Sequence, residues 1–271
     1  MAIKVSIISP TRDLDSNLLC CAQSARLSAI QCTGITVEHI FVIDGGNCDD
    51  VIWETITGLE VEKYKVRKIT LVENRGVAFA RNVAVHDADG DYLMFLDSDD
   101  AFEPLKITEQ IKLMKQQNAN FSCTGFIEFS SKTAGEWTVE ACEKLDASIL
   151  RERCPVCTSS VCLSRDWLDS IMDDSENIFP DQKMRSDWLG WFKLAGKEGF
   201  HFAHLPGHYV RREISANSLT ANKFKTVRYN YLVFRQTGHS LIGSMCKAVI
   251  YPLDSLKRRI FPKIGRRHDQ S

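Results

Sequence analysis

The sequence predicts an α/β fold built on a doubly wound, mostly parallel sheet. Three observations carry this expectation. Over the first hundred residues short apolar runs alternate with segments of helical period, the pattern of parallel βαβ units. Each run ends in turn-forming or acidic residues. The length of 271 residues, 44% of them apolar and 25% charged, suits one large core and excludes a fibrous or disordered chain.

The first strand is expected at residues 3–9, stopped by Pro10. A polar stretch then leads into a helix whose apolar face runs through Leu18, Leu19, Ala22, Ala25 and Leu27. A second strand at 37–43 ends at Asp44-Gly45-Gly46, and a helix follows at about 50–59. A third strand at 68–72, a helix at 77–86 and a fourth strand at 92–96 complete the pattern, with Asp97-Ser98-Asp99-Asp100 at its end. An amphipathic helix is read at 104–117, a strand at 120–130 and its hairpin partner at 135–139. Helices are read at 145–152, 165–172, from near Arg185 to 196, and at 220–237, with extended chain at 200–205 and 208–212. With no internal repeat or low-complexity linker, residues 1–220 are expected to form one compact fold, with a nucleotide half at about 1–104 and a second, smaller half at about 105–220. Residues 221–271 are expected to form a helical, basic extension.

Charge narrows the function. Lys and Arg number 34 against 35 Asp and Glu, so there is no excess positive charge for bulk nucleic-acid binding. No run of about 18 apolar residues suggests a spanning helix. The first residues lack a basic region followed by an apolar stretch, so a cytoplasmic placement is expected. The ten cysteines then read as mostly buried free thiols. Cys154-Pro155-Val156-Cys157 is a CxxC without a second ligand pair at metal spacing, and it is read as packing.

Ligands of doubly wound sheets bind beyond the carboxyl ends of the strands. Three of those ends here carry acids or turns: residues 11–13, 44–46 and 97–100. Asp97-Ser98-Asp99 is a DxD after the apolar run Tyr92-Leu-Met-Phe-Leu96. Two carboxylates on one short turn suit a hard divalent cation, Mn2+ or Mg2+, which can bridge to a diphosphate. Arg81 and Asn82 lie on a helix that starts near Gly76, where an Arg can pair with phosphate.

Four blocks in this order and spacing resemble family 2 glycosyltransferases of the GT-A fold. They are Val5-Ser-Ile-Ile-Ser-Pro-Thr11, Val42-Ile-Asp-Gly-Gly46, Glu73-Asn-Arg-Gly-Val-Ala-Phe-Ala-Arg-Asn82, and Gly90-Asp-Tyr-Leu-Met-Phe-Leu-Asp-Ser-Asp-Asp100. A fifth, Ser186-Asp187-Trp188-Leu-Gly-Trp191, resembles the family's acidic block. The resemblance implies transfer of a sugar from a nucleotide-sugar donor, with inversion, to a glycan or lipid-diphosphate-linked acceptor in surface-polysaccharide synthesis. It implies that Pro10 and Thr11 line the nucleoside, Asp44 reads the uracil, Arg81 lies near the nucleotide and Asp97-Ser98-Asp99 is the metal motif, with Asp99 ahead of Asp97 as direct ligand. Asp187 matches the general base. On the acceptor side, Ser159 belongs to a matching Thr/Ser segment, and Trp188 and Trp191 are candidates to stack on a sugar.

The chain departs from the pattern in places. Ser186 stands where the family usually has Glu. Arg12 follows Thr11 where an aromatic is common, and Arg12 can stack on the base instead. Arg211 and Arg212 are both candidates for the diphosphate. Residues 247–267 interleave Lys247, Lys257, Arg258, Arg259, Lys263, Arg266 and Arg267 with apolar residues, a pattern that suits an anionic membrane surface. That would make the protein peripheral on the cytoplasmic face of the inner membrane. The competing reading is a non-catalytic sugar-nucleotide or glycan-binding module. A nucleotidyltransferase would want a Gly-rich loop after the first strand, and an NAD enzyme a GxGxxG there; neither is present.

Overall fold

A computed structural model of the chain describes residues 2–47, 49–130, 135–173, 175–214 and 223–260. The first half runs β1 (Ile3–Thr11), α1 (Ser16–Ile30), β2 (Ile35–Asp44), α2 (Asp50–Thr57), β3 (Tyr64–Leu71), α3 (Val77–Asp87) and β4 (Tyr92–Phe95). These strands pair in parallel in the order β3-β2-β1-β4. The order reverses beside β1, so a crevice opens beyond its carboxyl end. β1, β2 and β4 are buried along nearly their whole length because both faces are covered, whereas the edge strand β3 is mostly half-exposed. Ile8, Ile40, Val42 and Phe95 face one core cluster, while Val5, Ile7, Phe41 and Ile43 face the other. Asp15 and Asp49 start α1 and α2 by accepting from the first free backbone amides.

The second half runs β5 (Asp100–Phe102), α4 (Lys106–Gln117), β6 (Phe121–Phe129), β7 (Glu136–Val139), α5 (Ala147–Glu152), a 3-10 turn (Thr158–Ser160), β8 (Cys162–Ser164), α6 (Arg165–Ile171), α7 (Ser186–Ala195) and β9 (Phe202–Glu213). Here β8 joins β4 to β6 antiparallel, β6 and β9 pair in parallel, β5 lies antiparallel on β9, and β7 pairs with β6. Then α8 (Lys223–Gln236) and α9 (Leu241–Ile260) pack together. Among the described residues, no helix is long and apolar enough to cross a membrane.

Three differences from the sequence reading have physical causes. β3 starts at Tyr64, four residues early, because the buried Tyr64 hydroxyl is held by His39 Nδ1 at 2.8 Å. β5 and β8, three residues each, are too short to show a period. The extended stretches 200–205 and 208–212 form one strand, β9. Its ladder with β6 shifts register opposite Gly125, where Gly207 has φ +104° and a side chain on Gly125 would meet the Gly207 carbonyl oxygen at 2.7 Å.

The boundary expected at 220 lies outside the described residues, as do Lys263, Arg266 and Arg267. Lys257, Arg258 and Arg259 fall within α9.

Candidate active site

The carboxyl ends of β1, β2 and β4 converge. At the end of β1, Pro10 and Thr11 are buried, and Thr11 Oγ1 donates to the Asp13 carbonyl at 2.7 Å. The next loop is held against β2 by Asp13, whose Oδ1 accepts from Asn47 N at 3.1 Å. Gly46 permits this approach, since a Cβ there would sit 1.7 Å from the Arg12 carbonyl oxygen. The Arg12 side chain is 76% exposed, at the rim of the crevice.

Asp44 is only 5% exposed, and its two oxygens accept from Arg75 N at 2.7 Å and Gly76 N at 2.8 Å. These two bonds tie Asp44 to the turn that starts α3, and each oxygen keeps a further lone pair to accept with. That turn aims Arg81 into the site. Arg81 is 5% exposed, ion-pairs with Asp97, and lies over the Phe179 ring at 5.6 Å. Burial disfavours its charge, yet Asp97 and Asp187 outweigh burial and raise its pKa. Its Nε has no partner among the described atoms. So Arg81 is a buried charge paired with Asp97 and favoured further by Asp187.

The turn after β4 carries four polar residues. Asp97 and Ser98 are half-buried, and Asp99 reaches solvent. Asp99 is nonetheless hemmed in closely enough that lost hydration raises its pKa, with the Asp97 charge adding to the rise. Asp100 is buried, and burial followed by Asp97 pushes its pKa well up. This surplus of crowded carboxylate fits a divalent cation. The donors are hard oxygens, and Mg2+ in particular is often held by one or two carboxylates plus substrate phosphates. Among the described residues no group of three or more His, Cys, Asp and Glu forms a ready-made metal cage.

The 3-10 turn at Thr158–Ser160 reaches both sides of the site. Ser159 is fully buried; its Oγ donates to Asp100 Oδ2 at 2.5 Å and accepts from Asp97 N at 3.1 Å. Thr158 Oγ1 donates to Asp187 Oδ2 at 3.2 Å. Ser159 therefore supports the acidic turn and does not face an acceptor, which corrects the sequence expectation. The contacts that Thr158 and Asp100 make were not legible, because no local pattern signals a contact across 29 or 59 positions.

Asp187 is half-buried in the first turn of α7, where the helix dipole favours its charge. The residue before this helix, Arg185, has φ +66°, a left-handed conformation rare for a side chain of its size. Its Nε donates to Asn230 Oδ1 at 3.2 Å, so α8 helps to hold it. Ser186 is buried at 2%. Trp188 corrects a second expectation. It is fully buried, donates from Nε1 to the Leu150 carbonyl at 2.5 Å, and packs on Phe234 and Tyr251. It offers no face to a sugar. Nor does Trp191, buried among Phe95, Phe121 and Phe179.

The two arginines of β9 separate by strand alternation. Arg211 pairs with Glu136 and lies over the Phe129 ring. Arg212 stands opposite Asp100 in the β5 ladder and within 3.5 Å of Glu128. Burial works against the Arg212 charge, but surrounding groups, Asp100, Glu128 and Asp97 among them, raise its pKa. Arg212 is thus the one aimed at the acidic turn.

The chain is similar to known glycosyltransferases. The profile described as "Glycosyl transferase family 2" matches residues 6–171, more than half of the chain. A glycosyltransferase named for teichuronic acid biosynthesis, TuaG of Bacillus subtilis, is 27% identical over 199 residues, covering 72% of this chain and 76% of its own. The Escherichia coli UDP-Glc:alpha-D-GlcNAc-diphosphoundecaprenol beta-1,3-glucosyltransferase WfaP is 27% identical over 246 residues, covering 89% and 91%. S. aureus TarS 1-349 in complex with UDP-GlcNAc superposes with a TM-score of 0.66 at 14% identity, over 97% of this chain and 77% of that one. The mannosyltransferase PcManGT of Pyrobaculum calidifontis, solved with GDP-Man and Mn2+, gives 0.62 at 11% identity, over 98% and 76%. The fold is of the GT-A type.

Proposed function

The chain belongs to glycosyl transferase family 2, and from that premise we propose that it moves a sugar from a UDP-sugar to a hydroxyl of a glycan or lipid-diphosphate-linked acceptor, with inversion. The observation that carries this reading is one buried Arg81 that ion-pairs with Asp97 of the acidic turn and also feels the charge of Asp187.

An inverting transfer is a single in-line displacement. Asp187 takes the proton of the acceptor hydroxyl as its oxygen attacks the anomeric carbon. The bond from that carbon to the diphosphate breaks on the opposite face, and UDP leaves. Arg81 and Arg212 stabilise the negative charge that collects there. Asp97 and Asp99 would hold Mg2+ or Mn2+, which supplies charge neutralisation for the departing diphosphate. Pro10, Thr11, Arg12 and Ser98 line the donor pocket, and Thr158 keeps Asp187 oriented.

The UDP donor and lipid-diphosphate acceptor are supported by WfaP, whose name states both. The cation is supported by the acidic turn and by PcManGT. Such an acceptor sits in a membrane, and the protein works as a peripheral protein on its cytoplasmic face. Support comes from α9, where Leu241, Ile242, Met245, Val249 and Ile250 are each more than half exposed along one stretch. Lys257, Arg258 and Arg259 lie near the end of this helix, and Lys263, Arg266 and Arg267 follow it in sequence. This helix packs through Tyr251 on Trp188, next to Asp187, so a bilayer at α9 would deliver acceptors to the base.

Thermal melting with UDP, GDP, CDP and NAD, each with and without Mn2+, tests the donor. A ligand bound only by the folded state raises the melting point. A UDP shift that grows with Mn2+ is expected. A shift with GDP or CDP alone would change the donor, and no shift with any nucleotide would leave the non-catalytic reading in its place.

A further inference from the structure

We infer that Lys106 is a positioning residue for the transfer: with Gln110 it braces, from inside the core, the turn that touches the acids on both sides of the site. The inference rests on the transferase reading above and adds to it a part of the chain that no catalytic motif includes.

Lys106 and Gln110 lie one helical turn apart on α4, and both are fully buried. Lys106 Nζ donates to Gln110 Oε1 at 2.6 Å and to the Ser160 carbonyl at 3.1 Å, and it lies 4.9 Å from the centre of the Phe102 ring. Gln110 Nε2 donates to the same Ser160 carbonyl at 2.9 Å and to Ser122 Oγ at 2.9 Å. Two side chains thus converge on one backbone oxygen. That oxygen belongs to the last residue of the 3-10 turn. The two residues before it hold Asp187 through Thr158, and Asp97 and Asp100 through Ser159.

Burying an ammonium is expensive when no carboxylate neutralises it. The titratable groups that face Lys106 are the thiols of Cys123, Cys157 and Cys162, from β6, the segment before the turn, and β8. The Cys142 hydrogen bond and then burial push the Cys123 pKa up, and burial does so for Cys157 and Cys162, so they are neutral at physiological pH. A methionine would fill the space without that cost. What the ammonium adds is a pair of charge-assisted bonds, stronger than neutral ones, to Gln110 and to the turn. Burial lowers the Lys106 pKa to about 8. The brace is therefore charged at neutral pH and loses its proton at mildly alkaline pH.

The test compares wild type, Lys106→Met and Gln110→Glu on a UDP-sugar and acceptor pair that the wild type turns over. Absence of wild-type turnover on every pair tried speaks against the transferase reading; an unaltered variant speaks against the brace alone. Misplacement of reacting groups by a fraction of an ångström lowers turnover more than binding, so Lys106→Met should lose about tenfold in kcat while the donor KM changes little. Wild-type kcat should decline as pH rises through about 8. A carboxylate at position 110 favours the ammonium, so Gln110→Glu should move that decline to higher pH, and Lys106→Met should lack it. A purely structural lysine would change melting temperature without moving the limb. The inference is overturned by a folded Lys106→Met enzyme with wild-type kcat. If that variant does not fold, an alkaline limb at the same pH in wild type and Gln110→Glu overturns it as well.

Discussion

The two banks of the site are built differently. The proposed donor bank stands on the ends of β1, β2 and β4, neighbours in one parallel ladder. Its residues fall where the strands stop, and each strand is fixed by apolar packing on both faces. The proposed acceptor bank stands on the start of α7 and on the 3-10 turn at Thr158–Ser160. Neither is a strand end, and both are held by side-chain bonds to distant parts of the chain. Arg185 in its left-handed conformation, Thr158 against Asp187 and Lys106 beneath Ser160 are all of this kind. A bank set by topology tolerates changes at its surface. A bank set by tertiary bonds depends on each of them.

The largest expected effect breaks the acceptor bank and spares the donor bank. Asp187→Asn keeps the shape and the Thr158 contact but cannot accept a proton. General-base removal costs about 10²–10⁴-fold in rate, so transfer should fall by about 10³-fold. UDP binding, measured by calorimetry, should stay near wild type. Near-normal turnover would sink the assignment, and lost UDP binding would mean that the two banks are not separable.

A smaller effect probes the donor bank from beneath. His39 is fully buried on β2, with Nε2 2.7 Å from Ser9 Oγ on β1. Burial lowers its pKa from 6.5 to about 3. Between those values the unfolded chain binds a proton that the folded chain excludes, so stability is full above pH 6.5 and falls as pH drops towards 3. Each unit of difference is worth about 1.4 kcal/mol, which makes the total a few kcal/mol. His39→Gln does not titrate, so its urea-unfolding stability should lose less across that window. Equal acid sensitivity in both proteins would place the titrating group elsewhere.

Trp188 separates packing from recognition. Trp188→Phe leaves the Leu150 carbonyl buried without its donor, at a cost of about 1–3 kcal/mol. Denaturant unfolding should record that loss while the acceptor KM stays unchanged. A raised acceptor KM at unaltered stability would restore the sugar-stacking role that burial argues against.

The contrast between the banks also explains what could be read from sequence. In the donor half, periodicity and turn residues located β1, β2, β4 and the Asp97–Asp100 turn to within a residue or two, because short-range patterning fixes parallel βαβ units. Asp44 was located, but its bonds to Arg75 and Gly76 were not legible, since they cross 31 and 32 positions. In the acceptor half, Asp187 was legible only through resemblance. Trp188 and Ser159 were found as positions and misread as ligand-facing, because the sequence of a helix does not say which of its aromatics the C-terminal helices will cover. Lys106 looked like one more charge on an amphipathic helix.

The smallest expected effect concerns Arg211 and Arg212, adjacent in sequence and opposite in direction. Arg211 is tied to Glu136 at the outer face of the sheet, and half-exposed pairs of this kind contribute little. Arg212 faces the acidic turn beside Asp100, so it can reach a diphosphate only from there. Losing one hydrogen bond to a charged group typically costs enough for roughly a tenfold change in affinity. Arg212→Ala should therefore weaken UDP binding by about that factor, while Arg211→Ala should leave it unchanged. UMP, which lacks the second phosphate, should bind wild type and Arg212→Ala alike. If Arg211→Ala is the weaker binder, strand alternation does not decide which arginine meets the diphosphate, and the donor bank extends to the other face of β9.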